Sequence, residues 1–252
     1  MAVRKPLHSL STALRFLTIF PAFGSSEDDQ SFFGGALYYF SVVGIIIGCL
    51  AALSAFILGY IGSPFASAVL LTVLLSAVSG FLHLDGLADS ADGFLSSRDR
   101  KHSLEIMKDS RIGVMGAAAI CSILLLKSAA IFSIDQLELK STLVVTAVAG
   151  RTAMVMVMAF LPYARPEGEL GQLFYRQASH FSVPLISALV LLATIIFLLP
   201  GKLLISILVF ILLLILFSFW SYKKIGGFTG DTLGCIGEIM ETGFLIGISC
   251  NF

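Results

Sequence analysis

Six apolar stretches, each near the length needed to cross a bilayer, dominate this sequence. They cover residues 34–61, 65–82, 112–132, 141–161, 183–199 and 203–222. A helix needs about 20 mostly apolar residues to span the hydrocarbon core, and in lipid a helix satisfies its backbone hydrogen bonds internally. The pattern therefore predicts an all-α fold, a polytopic transmembrane helical bundle of about six spans.

The low charge content supports lipid, rather than water, as the solvent of this chain. Hydrophobic residues make up 57% of the 252 positions and charged residues 13%, whereas soluble domains average about 25% charged residues. The 16 basic and 16 acidic residues cancel, so the sequence offers no basic footprint and we expect no nucleic-acid partner. Residues 1–252 are predicted to form a single integral membrane domain embedded in the lipid bilayer.

Two segments at the ends of the chain do not qualify as spans. Residues 8–20 are apolar but contain Arg15, which favours an interfacial or re-entrant helix over a cleaved leader. Residues 243–252 are too short to cross a bilayer. They are predicted to form a half-helix or a short C-terminal segment tucked against the bundle.

The basic residues indicate how the spans are oriented. With the N-terminus in the cytoplasm, the outer loops contain only Lys140 and Lys202. The cytoplasmic segments then contain Arg4, Lys5, Arg15, Arg98, Arg100, Lys101, Lys108, Arg111, Arg165, Arg176, Lys223 and Lys224. Because cytoplasmic loops carry the excess of Lys and Arg, this orientation is favoured, and it places the loops at 83–111 and 223–242 in the cytoplasm.

The segment 83–111 carries acidic residues at helical spacing. Asp85, Asp89 and Asp92 lie at i, i+4 and i+7, and Glu105 and Asp109 lie at i, i+4, so each set shares a helical face. Carboxylates so placed repel one another and need a neutralising partner. Oxygen ligands select a hard divalent cation such as Mg²⁺ or Mn²⁺, so these five residues are the candidate metal ligands.

The same segment supplies the candidate catalytic residues. The candidates include the three aspartates of the acidic row, Asp85, Asp89 and Asp92. His83 adjoins this row and could act as a base. Lys108 and Arg111 follow the row, and such side chains bind phosphate well. The alternative interpretation is a solvated acidic loop in which the basic residues act only as anchors at the cytoplasmic face of the membrane.

A second polar cluster occupies residues 223–242. Gly227 and Gly230 precede Asp231, and a glycine-rich loop can hold phosphate with its backbone N–H groups. These three residues are therefore candidate binding residues, although a plain glycine-rich turn is the alternative. Glu238 and Glu241 fall on roughly the same helical face as Asp231.

Two basic residues lie within or near apolar stretches. Arg151 follows Gly150 in the fourth stretch, and intramembrane charges indicate function by default. We therefore expect Arg151 to reach toward a substrate phosphate, with a snorkelling or acid-paired structural arginine as the alternative. Lys127 is expected to snorkel outward.

Three blocks of residues resemble one enzyme family. They read HLDGLADSADG at 83–93, LEIMKDSRIG at 104–113 and GGFTGDTLG at 226–234. Together with the length and the span pattern, they resemble the cobalamin synthase family, also called adenosylcobinamide-GDP ribazoletransferase. The resemblance implies an Mg²⁺-dependent transferase that joins adenosylcobinamide-GDP to α-ribazole or its 5′-phosphate and releases GMP. This reaction is the final nucleotide-loop assembly step of cobalamin biosynthesis.

The resemblance also implies where the protein works. We expect a bacterial or archaeal cytoplasmic (inner) membrane, an active site that faces the cytoplasm, and a possible homo-oligomer. Two other functions fit parts of the pattern. A CDP-alcohol phosphotransferase would use a similar acidic layout, but Asp89 stands near where that family has an arginine. A cation or metabolite transporter would use the acids as an ion site, although no internal repeat supports it.

Overall fold

Helices account for nearly all of the regular structure. The computed structural model describes residues 4–23, 29–165 and 180–250. Within these ranges the α-helices are α1 (Arg4–Leu17), α2 (Asp29–Ala36), α3 (Phe40–Ile61), α4 (Pro64–Ala77), α5 (Leu82–Leu95), α6 (Arg100–Ile106), α7 (Val114–Ser133), α8 (Gln136–Phe160), α9 (Ser182–Leu198), α10 (Leu203–Ile225) and α11 (Gly230–Ser249). In the same ranges, the β-type pairing is one isolated bridge between Tyr163 and Phe228. The all-α prediction is confirmed.

Several of these helices are long and apolar enough to cross a membrane. In the described part of the chain they are Phe32–Tyr60, Val114–Ser133, Gln136–Phe160, Pro200–Ile225 and Gly230–Ser249, and α4 with α5 forms a bent pair that would be a sixth. Helix α9 is apolar but only 17 residues long. The predicted polytopic bundle is thus confirmed, with five or six candidate spans.

The second predicted span ends earlier than expected. Helix α4 stops at Ala77, and the chain turns by 85° into α5. Gly80 and Phe81 both adopt positive φ at this bend, a conformation that interrupts a right-handed helix. The prediction of a loop from residue 83 is therefore wrong in its first part, because residues 82–95 form a helix.

The C-terminal segment was also predicted wrongly. Residues 243–249 are not a separate short piece but the end of α11, which has 20 residues and is mostly buried. Thr229 and Thr232 form a reciprocal capping box that starts this helix at Gly230. Such a box satisfies two otherwise unpaired N–H groups at a helix start. Residues 251 and 252 of the predicted segment, and Arg176, lie outside the described residues.

Helix α8 forms the centre of the bundle, and most of its side chains are buried. Helix α3 packs directly on it through Gly44 and Gly48. A Cβ atom at Gly44 would lie 2.8 Å from the Cα atom of Val148, and one at Gly48 would lie 2.5 Å from the Cα atom of Val144. The small-residue spacing in the sequence therefore serves close helix packing.

The N-terminal helix forms close to where it was predicted. Helix α1 ends at Leu17, and its Phe16 ring stacks on Phe40 of α3 with centroids 5.9 Å apart. Phe16 also meets the edge of Phe33 on α2. These ring contacts fix α1 against the start of α3, beside the first turns of α5.

Candidate active site

Helix α5 presents the three predicted aspartates on one face. Its apolar residues face inward, whereas Asp85 is exposed and Asp89 and Asp92 are half-buried. The charges of Asp85 and Asp92 both act unfavourably on Asp89, and so does the charge of Asp231 from α11. The site therefore concentrates negative charge contributed by two helices.

Glycines allow α5 and α11 to approach at backbone distance. A Cβ atom at Gly86 would lie 2.5 Å from the carbonyl oxygen of Asp231. A Cβ atom at Gly234 would lie 3.0 Å from the Cα atom of His83. Any side chain at these two positions would separate the helices, so glycine is what brings Asp231 to the acidic face of α5.

Asp92 has a structural partner that the sequence did not indicate. Its Oδ2 atom accepts a hydrogen bond from the backbone N–H of Gly113 at 2.7 Å, and its Oδ1 atom accepts one from Gly116 at 2.9 Å. These N–H groups belong to the start of α7, where four donors lack partners within the helix. Asp92 therefore ties the end of α5 to the first turn of α7.

We expect the Asp92→Ala variant to be less stable than the wild type by about 1–3 kcal/mol, because two N–H groups lose a charged acceptor. Asp92→Asn, which retains one acceptor oxygen, should lose less. Unfolding of the purified protein in detergent would measure both. Equal stability of Asp92→Ala and the wild type would contradict the capping role.

Asp231 is held by an arginine that sequence reasoning did not select. The Arg165 Nη2 atom donates to Asp231 Oδ2 at 2.6 Å, and the Thr229 hydroxyl also donates to that oxygen. Arg165 acts favourably on the charge of Asp89 as well. The sequence did show that Arg165 comes shortly after a predicted span, on the same side of the membrane as the acidic loop. It could not show the ion pair itself, because the two partners are 66 positions apart.

The two predicted binding glycines have different surroundings. Gly230 begins α11 and borders open space, since a Cβ atom there would meet nothing within 4 Å. Gly227 packs tightly against Pro162 and accepts a 2.6 Å hydrogen bond from the Ser221 hydroxyl. Only Gly230 presents its backbone to a space that a ligand could enter, and it does so at a helix N-terminus, which favours anions.

The second predicted acidic pair does not form on a helix. Helix α6 contains Glu105 but ends at Ile106, so Asp109 does not share its face. Asp109 instead accepts hydrogen bonds from Arg111, which lower the pKa of its carboxyl to about 2. Lys108 and Glu105 are exposed. These residues form a polar strip beyond α5, and the interpretation of Glu105 and Asp109 as a helical pair is wrong.

The core contains a network of four charged side chains. The Lys127 Nζ atom donates to Glu238 at 2.6 Å and to Glu241 at 2.8 Å, and Arg151 donates to the other Glu241 oxygen. All four side chains are at most 2% exposed. The network joins α7, α8 and α11 and has equal numbers of positive and negative charges.

This network corrects two expectations. Lys127 does not snorkel outward, because its ammonium group lies between two buried carboxylates. Arg151 is the acid-paired structural arginine, since its guanidinium contacts Glu241. Glu238 and Glu241 likewise belong to this network rather than to the same polar cluster as Asp231.

A cavity of about 200 Å³ adjoins the acidic face. His83, Asp85 and Asp231 line one part of it, and Gly230 borders it as well. His83 itself is buried. The cavity is thus continuous with the place where α5 and α11 meet.

The carboxylates of the site fit a metal ion only in part. Within residues 4–23, 29–165 and 180–250, no group of three or more His, Cys, Asp or Glu side chains is arranged to hold one. The side-chain carboxylates of Asp85 and Asp89, however, have no hydrogen-bond or ion-pair partner in the described part of the chain. Mg²⁺ is commonly bound by one or two carboxylates plus substrate phosphates, so this pair fits an ion that arrives with a phosphorylated substrate.

The fold and the site define a polytopic membrane protein with a carboxylate-rich centre at one end of its helical bundle. The chain matches the cobalamin-5-phosphate synthase family over residues 9–249. The chain therefore belongs to this family.

Individual relatives agree with this assignment. An adenosylcobinamide-GDP ribazoletransferase from Desulforamulus reducens is 40% identical over 93% of each protein. The enzyme of that name from Chlorobaculum tepidum is 37% identical over 93% of this chain and 92% of its own length. That from Chlorobium phaeovibrioides is 39% identical over 93% of this chain and 94% of its own. No solved structure matches the chain.

Proposed function

We propose that this protein is a membrane transferase that joins adenosylcobinamide-GDP to α-ribazole or its 5′-phosphate and releases GMP. The observation that carries the proposal is the carboxylate pair of Asp85 and Asp89, which has no partner among the described residues and is placed beside Asp231 and a cavity in a chain of this family. Relatives at 34–40% identity that carry the name of this activity support it. The product would be adenosylcobalamin or its 5′-phosphate.

The proposed role of the carboxylates is to hold Mg²⁺. Asp85 and Asp89 would supply the protein ligands, and the pyrophosphate of the donor would supply others. The ion would neutralise charge on the pyrophosphate and on the leaving GMP. Arg165 keeps Asp231 oriented at the same site, and the α11 N-terminus at Gly230 faces the space in which the phosphates would lie.

The chemical step needs positioning and charge neutralisation more than covalent help. A hydroxyl oxygen of α-ribazole attacks the phosphorus atom that carries the cobinamide. A new P–O bond forms, the bond from that phosphorus to the bridging oxygen breaks, and GMP departs with the bond electrons. The hydroxyl proton passes to a base, and His83 and Asp85 are the candidates because both line the cavity.

The proposed orientation places the site at the cytoplasmic side of a bacterial or archaeal inner membrane. Basic residues gather at the same end of the bundle as Asp231. Lys224 donates to the carbonyl oxygens of Ser96 and Arg98, and Arg100 donates to that of Ala164. Such a concentration of basic residues is typical of cytoplasmic ends.

Purified protein in detergent, supplied with the GDP-linked corrinoid and α-ribazole, should form the joined corrinoid and GMP in equal amounts. We expect product formation to stop when EDTA removes divalent ions and to return when excess Mg²⁺ is added. Chromatography with detection of both products would measure this. Activity with a CDP-alcohol donor and a lipid acceptor, without corrinoid turnover, would refute the proposal in favour of the lipid enzyme.

A further inference from the structure

The cavity beside the acidic site is built from five helices, α1, α3, α5, α8 and α11. Its volume is about 200 Å³. Its lining combines apolar side chains with the site acids: the apolar side chains include Phe16, Leu17, Phe40 and Met154, and the acids are Asp85 and Asp231. We infer that this cavity holds the planar heterocycle of the acceptor, α-ribazole, an inference that rests on the proposed function.

The volume of the cavity indicates which of the two substrates, the GDP-linked corrinoid or α-ribazole, can enter it. Pockets that enclose drug-sized molecules measure about 300–1,000 Å³, so a cavity of about 200 Å³ is too small for a corrin macrocycle. An apolar cavity of about 150 Å³ can accommodate benzene. The cavity therefore suits a ring system somewhat larger than benzene, as the fused two-ring base of α-ribazole is.

The polarity of the walls matches the two ends of this acceptor. Phe40 is fully buried, Leu17 is 1% exposed, and the stacked rings of Phe16 and Phe40 form an aromatic wall. Aromatic and apolar walls favour a planar heterocycle. Asp85 and Asp231 line the same cavity, so they are available to the hydroxyl-bearing sugar of a base seated on the apolar residues.

The position of Asp85 then orients the acceptor. Asp85 lines the cavity and also belongs to the pair proposed to hold Mg²⁺. A base seated against Phe40 and Leu17 would direct its ribose toward Asp85, and so toward the pyrophosphate of the donor. Such seating would convert a two-molecule encounter into an oriented attack. Helix α1, which the sequence predicted to be an interfacial or re-entrant helix, thereby becomes a wall of the acceptor site.

The test uses Leu17→Trp, which places a fused two-ring side chain in the cavity. We expect this variant to weaken the binding of free benzimidazole at least about tenfold and to raise KM for α-ribazole by a similar factor. KM for the GDP-linked corrinoid should change less than about threefold. Calorimetry measures benzimidazole binding to the cavity and does not require turnover. Absence of transferase activity would therefore refute the proposed function without deciding whether the cavity binds the base.

The matched control is Leu7→Trp, the same substitution on an exposed position of the same helix, where Leu7 is 64% exposed. This control should leave benzimidazole affinity unchanged. The inference fails if benzimidazole does not bind the wild type, or if both variants bind it as tightly as the wild type does. It also fails if Leu17→Trp raises KM for the corrinoid alone.

A second variant covers the case in which Leu17→Trp does not fold. Met154→Ala should enlarge the cavity and shift the preference from benzimidazole toward the three-ring naphthimidazole at least about tenfold, because the added ring gains space. In the wild type, benzimidazole should inhibit competitively against α-ribazole. Competition against the corrinoid instead, or an unchanged base preference in Met154→Ala, would contradict the inference.

Discussion

Replacement of Asp89 by asparagine is expected to reduce transferase activity by roughly 10³-fold or more while the protein remains folded. A metal ion contributes several kcal/mol of charge stabilisation in such reactions, and each 1.36 kcal/mol is a factor of ten. Asp89 is surrounded by the charges of Asp85, Asp92 and Asp231. Removal of its charge relieves that repulsion, so the unfolding temperature should stay the same or rise.

Steady-state rates at saturating Mg²⁺, together with unfolding in detergent, would test this prediction. The matched control is Asp135→Asn, which makes the same chemical change at the start of α8. Asp135 caps that helix by accepting from the N–H of Leu137, and asparagine caps helices about as well as aspartate. Full activity of Asp89→Asn would refute the metal-binding role of Asp89.

The second large effect is expected at Lys127. Lys127→Met leaves Glu238 and Glu241 with only Arg151 to balance them inside the bundle. Loss of one partner of a buried ion pair costs about 3–5 kcal/mol, because an uncompensated charge remains. We expect a corresponding fall in stability in detergent. Activity should fall as well, because α11 carries both Glu238 and Asp231.

A compensating variant separates charge balance from the loss of packing. Lys127→Met combined with Glu238→Gln restores neutrality and keeps the pair of Arg151 with Glu241, so most of the stability should return. Lys140→Met is the control, since Lys140 is exposed and lies 5.4 Å from the centre of the Phe56 ring. It should cost about 1 kcal/mol at most. Equal instability of the single and double variants would contradict the charge-balance argument.

The acidic face of α5 was predictable because its cause is local. Asp85 and Asp89 are one helical turn apart, and the apolar residues between them fix which face of α5 is buried. Gly86 lies between these acids and serves the packing of the helix. It allows the backbone of α11 to approach, and that neighbour could not be read from α5 alone.

The wrong predictions for the segment 223–242 and for Lys127 have a common physical origin. Residues 223–242 were predicted to be a cytoplasmic loop, and Glu238 and Glu241 contribute to the polar character of that segment. In the folded chain, Lys127 and Arg151 neutralise them from 111 and 90 positions away. Hydropathy adds contributions residue by residue, so it cannot include a partner on another helix.

The sequence by itself therefore determined the helical bundle, most of its apolar spans and the row of aspartates on α5, since these follow from local periodicity and from the cost of exposing backbone to lipid. Only the tertiary structure decided which acids remain without partners. It assigned Asp92 to the start of α7, Asp231 to Arg165 and Glu241 to the buried network. The reason is that each carboxylate is neutralised by a group distant in sequence, and packing alone brings the two together.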